Sequence, residues 1–226
     1  MSARSIYKST IARATLPLLG LTLCSSAFAR PVSYPDGWTV MLRNDAFQNS
    51  AHIHYTTDMR HSVGLRLVYD REEDFIFTGA QVNRLMKRWN KPDSQANIYA
   101  RFAAGQVRDD LDSGELRLRR GDDIGILLGL SADWETRRYF ISAEAEHWDN
   151  GQFGDASTFH GRVGIAPYIA NTGALHTWLM IEGHNRLEGE EPLGASALVR
   201  FFKGPSLLEL GVDNDGAPLI NYIHRF

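Results

Sequence analysis

Residues 124–148 read IGILLGLSADWETRRYFISAEAEHW, and the way this stretch alternates decides the fold. Ile124, Ile126, Leu128, Leu130, Ala132 and Trp134 share one parity, joined past the charged turn at Glu135, Thr136 and Arg137 by Tyr139, Ile141, Ala143 and Ala145. The other parity carries Gly125, Gly129, Ser131 and Asp133, then Arg138, Ser142, Glu144 and Glu146, with Leu127 and Phe140 among them. Period two is the geometry of a strand whose two faces meet different surroundings. The two runs are expected to form an antiparallel hairpin with Asp133 opposite Arg138, which brings both polar sets to one face and pairs opposite charges.

Working outward, the same rhythm marks twelve segments: 38–45, 51–57, 61–70, 74–87, 95–106, 122–134, 137–148, 157–169, 174–186, 193–202, 206–213 and 216–226. The fourth is the least regular, its parity being unclear over 79–83, and a helix over 81–89 is the competing reading there. In an outer-membrane barrel both chain ends lie on one side and the turns on that side are short. The even-numbered connections should then be the short ones. The sixth (135–136), eighth (170–173) and tenth (203–205) are, whereas 107–121, 149–156 and 187–192 are longer and fall on the other side. The fourth connection, 88–94, is longer than this pattern asks. The predicted fold is all-β, a transmembrane antiparallel up-and-down β-barrel of twelve strands, with ten as the alternative count.

Ahead of the barrel, Arg4, Lys8 and Arg13 precede an apolar run at 16–23, and Ala27, Phe28 and Ala29 form a small-x-small cleavage site. Residues 1–29 are expected to be a signal peptide and 30–226 a single barrel domain. The apolar run is shorter than the roughly 20 residues that span a bilayer. A lipoprotein acceptor at Cys24 is disfavoured by Leu23 before it. Cys24 is the one cysteine in the chain, so the processed protein would have neither disulfides nor a thiolate metal site. A net charge of −3 with both signs well mixed gives no footprint for nucleic acid. Gly125, Gly129, Gly164 and Gly194 join no strand to a helix, so they read as gaps or bulges rather than a phosphate-binding loop, and no cofactor is expected.

Alternation by itself leaves open whether the oily face points outward to lipid or inward, as in a soluble periplasmic ligand-binding barrel. The load on the polar parity favours an aqueous interior: Arg66, Asn97, Tyr99, Arg101, Asp133, Arg138, Glu144, Glu146, Arg162, Arg200 and Glu209 are the expected lumen-lining residues. Aromatics near segment ends on the oily parity, Trp38, Tyr69, Trp134, Tyr139, Phe159 and Phe201, suit interfacial girdles.

The chain stops at Phe226 with Ile220, Tyr222 and His224 on the same parity. This resembles the C-terminal strand of bacterial outer-membrane β-barrel proteins, which implies a Gram-negative outer-membrane location, outer-membrane lipids as surroundings, and barrel-assembly machinery reading Tyr222 and Phe226. His224 departs from the apolar residue usual there. Residues 88–90, 93–99 and 133–137 also resemble small uncharacterised Gram-negative envelope proteins encoded beside copper or other heavy-metal resistance genes.

Several constellations could carry chemistry. His52 and His54 share a strand face and could ligate copper or zinc, with His61, His160 or His184 as a third ligand; the bland reading is hydrogen-bonded lumen or surface groups, and the lack of a methionine cluster beside them speaks against a dedicated copper(I) chelator. Asp133 with Glu135 and Glu144 with Glu146 could act as acid and base, or serve as partners of lumen arginines, with Arg162 near the level of Glu144 and Arg101 facing the strand of Asp133. Ser157, His160 and Glu146 could approach one another as a lipid-hydrolysing trio. The charged loop 107–121 could bind lipopolysaccharide phosphates or simply be solvated, and 86–90 reads as an anchored periplasmic turn. The function expected from all this is a non-enzymatic outer-membrane barrel, a narrow pore for small solutes or ions with a link to metal stress; a lipid-modifying enzyme of the same membrane is the rival.

Overall fold

The computed structural model describes residues 30–109, 121–187 and 193–226. The proposed signal peptide, with Cys24, and most of the charged loop (110–120) lie outside the described residues. Twelve antiparallel strands close into a barrel in chain order, β1 (Trp38–Asn44) pairing both β2 (Gln48–Thr56) and β12 (Pro218–Arg225). Between them run β3 (His61–Asp70), β4 (Phe75–Lys91), β5 (Ser94–Asp109), β6 (Asp123–Thr136), β7 (Tyr139–Asp149), β8 (Asp155–Ile165), β9 (His176–Arg186), β10 (Gly194–Lys203) and β11 (Ser206–Asp213). Closure leaves no sheet edge unpaired.

The stretch read as a hairpin is one, but its register is four residues away from expectation. Asp133 lies opposite Ser142, Trp134 opposite Ile141 and Glu135 opposite Phe140. The turn is set by Thr136, whose Oγ1 accepts hydrogen bonds from the backbone N–H groups of Arg138 (3.1 Å) and Tyr139 (2.8 Å). Arg138 therefore sits exposed in the turn and neither lines the lumen nor meets Asp133. An even shift keeps every side chain on its face, so the assignment of faces survives.

Carboxylates make several of the other turns. Asp58 accepts from the N–H groups of Arg60 and His61, Asp70 from Glu72 and Glu73, and Asp213 from Asp215 and Ala217. Such Asx turns reverse the chain through a side-chain acceptor, and the one at Asp213 also uses Gly216, whose φ is +85°. The stretch 81–89 is strand, not helix: β4 runs to Lys91, so the fourth connection is only 92–93, and 86–90 lies in the strand rather than in a turn. Residues 79–83 alternate regularly in the strand, their small and polar side chains having hidden the parity, and the register shift lies further on, between Leu85 and Lys87. The eighth connection, by contrast, extends over 166–175 and is the longest on the side of the chain ends among the described residues.

The oily parity faces outward. Leu65, Leu128, Leu130, Ile141, Val163 and Ile181, from five strands, are 48–61% exposed, the reverse of what a soluble ligand-binding barrel requires. Exposed aromatics Trp38, Trp89, Trp134, Tyr139, Tyr168 and Tyr222 gather at strand ends or turns on the side of the chain ends. Phe159 departs from the expected girdle, lying within β8 opposite Ala145. Inside, Phe75, Phe77, Val107, Leu127, Trp148 and Phe153 pack toward the opposite side, and Phe140, Trp178, Met180 and Leu198 form a second apolar cluster. The mouth on the side of the chain ends is covered by the segment before β1. Val32 is fully buried against Leu85 and Tyr99, Ser62 Oγ donates to the carbonyl of Pro31 at 2.6 Å, and Arg30 reaches Glu135 at 2.7 Å.

Candidate functional site

Between the apolar clusters the barrel interior is filled by one hydrogen-bonded web of charge. Arg66 (β3) grips Glu146 (β7) with both terminal nitrogens at 3.1 and 3.4 Å, and Arg101 (β5) bridges Glu146 at 2.6 Å and Glu144 at 2.8 Å. Gly129 permits this second arm, because a Cβ there would stand 2.4 Å from Arg101 Cγ. Arg43 (β1) binds Asp45 at 2.5 Å, reaches Glu144 at 3.7 Å, and lies 3.3 Å from the His160 ring on β8. His160 stands 3.6 Å from Glu182 (β9), which also binds Arg162 Nε at 2.8 Å. Arg162 continues to Glu209 (β11) at 2.9 Å, where Arg200 (β10) at 2.6 Å and Asn221 (β12) at 2.7 Å converge. Gln81 (β4) accepts from Arg66 and Ser131 (β6) accepts from Arg101. Every strand but β2 contributes.

Five arginines and five carboxylates balance in this web. Buried charges of this kind cost several kcal/mol each in lost hydration and persist only when paired. Asp45 sits at the end of the web in the β1–β2 connection. Burial pushes its carboxyl up, but Arg43 and the N–H of Gln48 outweigh that and hold it below the usual carboxylate range.

Of the residues read from the sequence, Arg66, Arg101, Glu144, Glu146, Arg162, Arg200 and Glu209 all belong to the web. Arg162 does not pair with Glu144, which has His160 opposite it; its partners are Glu182 and Glu209. Arg101 lies opposite Gly129 and binds the carboxylates of β7 rather than Asp133. Asn97, Tyr99 and Asp133 form a smaller set nearer the chain ends, where Arg88 donates to Asn97 Oδ1 at 2.7 Å and to Tyr99 Oη at 3.3 Å, and Asn97 donates to Asp133 at 2.7 Å. Arg43, Asp45, Glu182 and Asn221 escaped the reading although their parity places them inside, and His160, read as a metal or hydrolytic candidate, belongs to the web instead.

The suggested hydrolytic trio is not assembled. Ser157 faces outward and hydrogen-bonds His147 at 3.0 Å, whereas His160 and Glu146 point inward and are held by the arginine web. His52 and His54 do come together, with ring centroids 4.7 Å apart. His61 is bound instead to Asp58 at 2.9 Å, and His160 and His184 approach each other at 6.1 Å across β8 and β9. Among the described residues no three His, Cys, Asp or Glu side chains are arranged to hold a metal ion. Two interior pockets, one bordered by Asp45, His160, His184 and Asp213 and the other by Val68, Asp70, Trp148 and Arg186, leave room for about one or two water molecules each.

No protein-family model matches the chain, and no curated protein matches it in sequence. Among solved structures it is similar to OccK8 (OprE) of Pseudomonas aeruginosa, at 7% identity and a TM-score of 0.42, with 79% of this chain and 57% of that chain covered. It is also similar to OccAB4 of Acinetobacter baumannii (11%, TM-score 0.37, 83% and 57% covered). A third is OmpT lacking loop L8, an outer membrane protein of Vibrio cholerae (9%, TM-score 0.30, 84% and 98% covered). The chain spans 57% of the length of the first two. Likeness at this level carries no argument, and the closed barrel rests on the chain's own strand pairing.

Proposed function

We propose that this chain is a non-enzymatic barrel of a Gram-negative outer membrane whose interior is a narrow ion or small-solute path held shut by residues 30–37. One observation carries the reading: an oily outer wall surrounds a core of balanced, paired charge. In water such a wall would be an uncompensated apolar surface; in lipid it is the solvated one, and backbone polar groups are satisfied by closure. Twelve strands enclose more room than the eight that side chains nearly fill. Here that room is taken up by the arginine web and, at the mouth nearer the chain ends, by Val32 and its neighbours. Selectivity would lie with Arg66, Arg101, Arg162 and the carboxylates they bind, because a permeating ion must exchange places with one of these partners.

Planar-bilayer recording of the refolded protein tests this. The wild type is expected to show rare, small openings, and a Val32→Asp, Glu135→Gln variant, which weakens both anchors of the covering segment, should open more often at the same voltage. Silence of both proteins at every voltage overturns the pore. An unchanged opening frequency in the variant removes the covering segment as the gate.

A further inference from the structure

β2 is the strand that the charged web leaves out, and its inward face carries two imidazoles instead. His54 is completely buried, and neither of its ring nitrogens has a hydrogen-bond partner; the same holds for Nε2 of His52. Thr39 Oγ1, on β1 directly opposite His54, is likewise buried and unpartnered. A buried polar atom left without a partner bears its full desolvation cost, so four of them in one corner mark a place where something is held. The two rings lie with centroids 4.7 Å apart and planes at 36°. On β3, Gly64 faces His54, and a Cβ there would stand 2.0 Å from the Ile53 carbonyl oxygen and 2.6 Å from the His54 Cβ, so glycine is what lets the two strands meet at this point.

A thioether stands on the neighbouring strand. Met41 is the cross-strand partner of His52 and shares its inward parity, and the Cβ atoms of such a pair are about 4.5–5.5 Å apart. We propose that Met41, His52 and His54 form a site for a single copper(I) ion. Thioether and imidazole are neutral donors, a combination that suits a soft ion and offers little to hard cations. Arg66 stands opposite His52 on the other side of β2, where its charge is taken up by Glu146, so the three donors themselves and not a net local charge set the preference for a soft ion. The site is independent of any conductance, so its test and that of the pore fail separately.

The refolded full-length chain in detergent, kept reducing and anaerobic, should take one copper(I) per chain from a weak chromophoric chelator, and should bind silver(I) but not zinc(II). Met41→Leu keeps the volume of the side chain and removes only the sulfur. It should weaken binding by at least the roughly 10–100-fold seen when mere second-sphere partners of a metal are lost. His52→Gln with His54→Gln should abolish binding. X-ray absorption at the copper edge should report two nitrogens and one sulfur in the wild type and no sulfur in Met41→Leu. Folding of each variant is verified by its heat-sensitive gel mobility, and if the double variant fails to fold, Met41→Leu decides alone. Failure of the wild type to retain copper(I), affinity unchanged by Met41→Leu, or equal binding of zinc(II) would overturn the site and assign the four polar atoms to bound water.

Discussion

The inner walls of β2 and β7 present the same kind of pattern, two polar side chains two residues apart, and treat it in opposite ways. On β7, Glu144 and Glu146 are bound by arginines from β1, β3 and β5. On β2, His52 and His54 lie side by side with their rings tilted, and the buried nitrogens named above have no partner. The difference follows from charge. A carboxylate inside the barrel cannot be left alone, so partners are recruited from several strands and the group becomes part of the scaffold. A neutral imidazole pays a smaller cost for being unpaired and stays available to a ligand.

The largest break in this contrast should come from Glu146→Ala, which leaves Arg66 with no carboxylate and Arg101 with one. A destabilisation of about 3–5 kcal/mol is expected in urea unfolding from lipid or detergent. His54→Phe, by comparison, should cost little or even stabilise, since it removes two unsatisfied nitrogens; an equal loss for both would erase the distinction between the walls. The outer wall provides the next largest effect. Leu128→Arg, in the middle of the exposed apolar belt, should cost about 2–4 kcal/mol in lipid vesicles, and a neutral outcome would argue against lipid at that face.

Smaller effects sharpen the same picture at the ends of the web. Asp45→Asn should cost about 1–3 kcal/mol at neutral pH through weaker hydrogen bonds to a charged group. Because the folded carboxyl is held below its ordinary range, the wild-type advantage is complete above about pH 4 and disappears as pH falls through the lowered value, so the two unfolding profiles should converge in acid. Smallest of all, a double-mutant cycle between Asp133 and Arg138 should return a coupling indistinguishable from zero. The cycle between Asp133 and Asn97, 2.7 Å apart, should return about 1 kcal/mol. The reverse ranking would restore the register expected from the alternation.

Much of the barrel was legible before any coordinates. Ile124 to Leu130 and Tyr139 to Ala145 announce their faces because a strand has period two, and the burial of Leu127 and Phe140 on the charged parity did not disturb that reading. The hairpin register was not legible, since a shift of four leaves every residue on its face and only the hydrogen bonds of Thr136 choose between the alternatives. Arg43, Asp45 and Glu182 carry the same inward parity as the residues singled out, and a full count of inward charges over all twelve strands would have found them.

The sequence by itself determined which side chains point out of the barrel and which point into it, because alternation is a local property of the extended chain. Only the closed tertiary structure decided who pairs with whom. Arg66 meets Glu146 from β3 to β7, and Arg162 meets Glu209 from β8 to β11, across a lumen whose width and stagger no single strand encodes. The same closure shut the mouth over Val32 and left His52 and His54 outside the web, since contacts across a barrel depend on the sum of all twelve registers and not on any one of them.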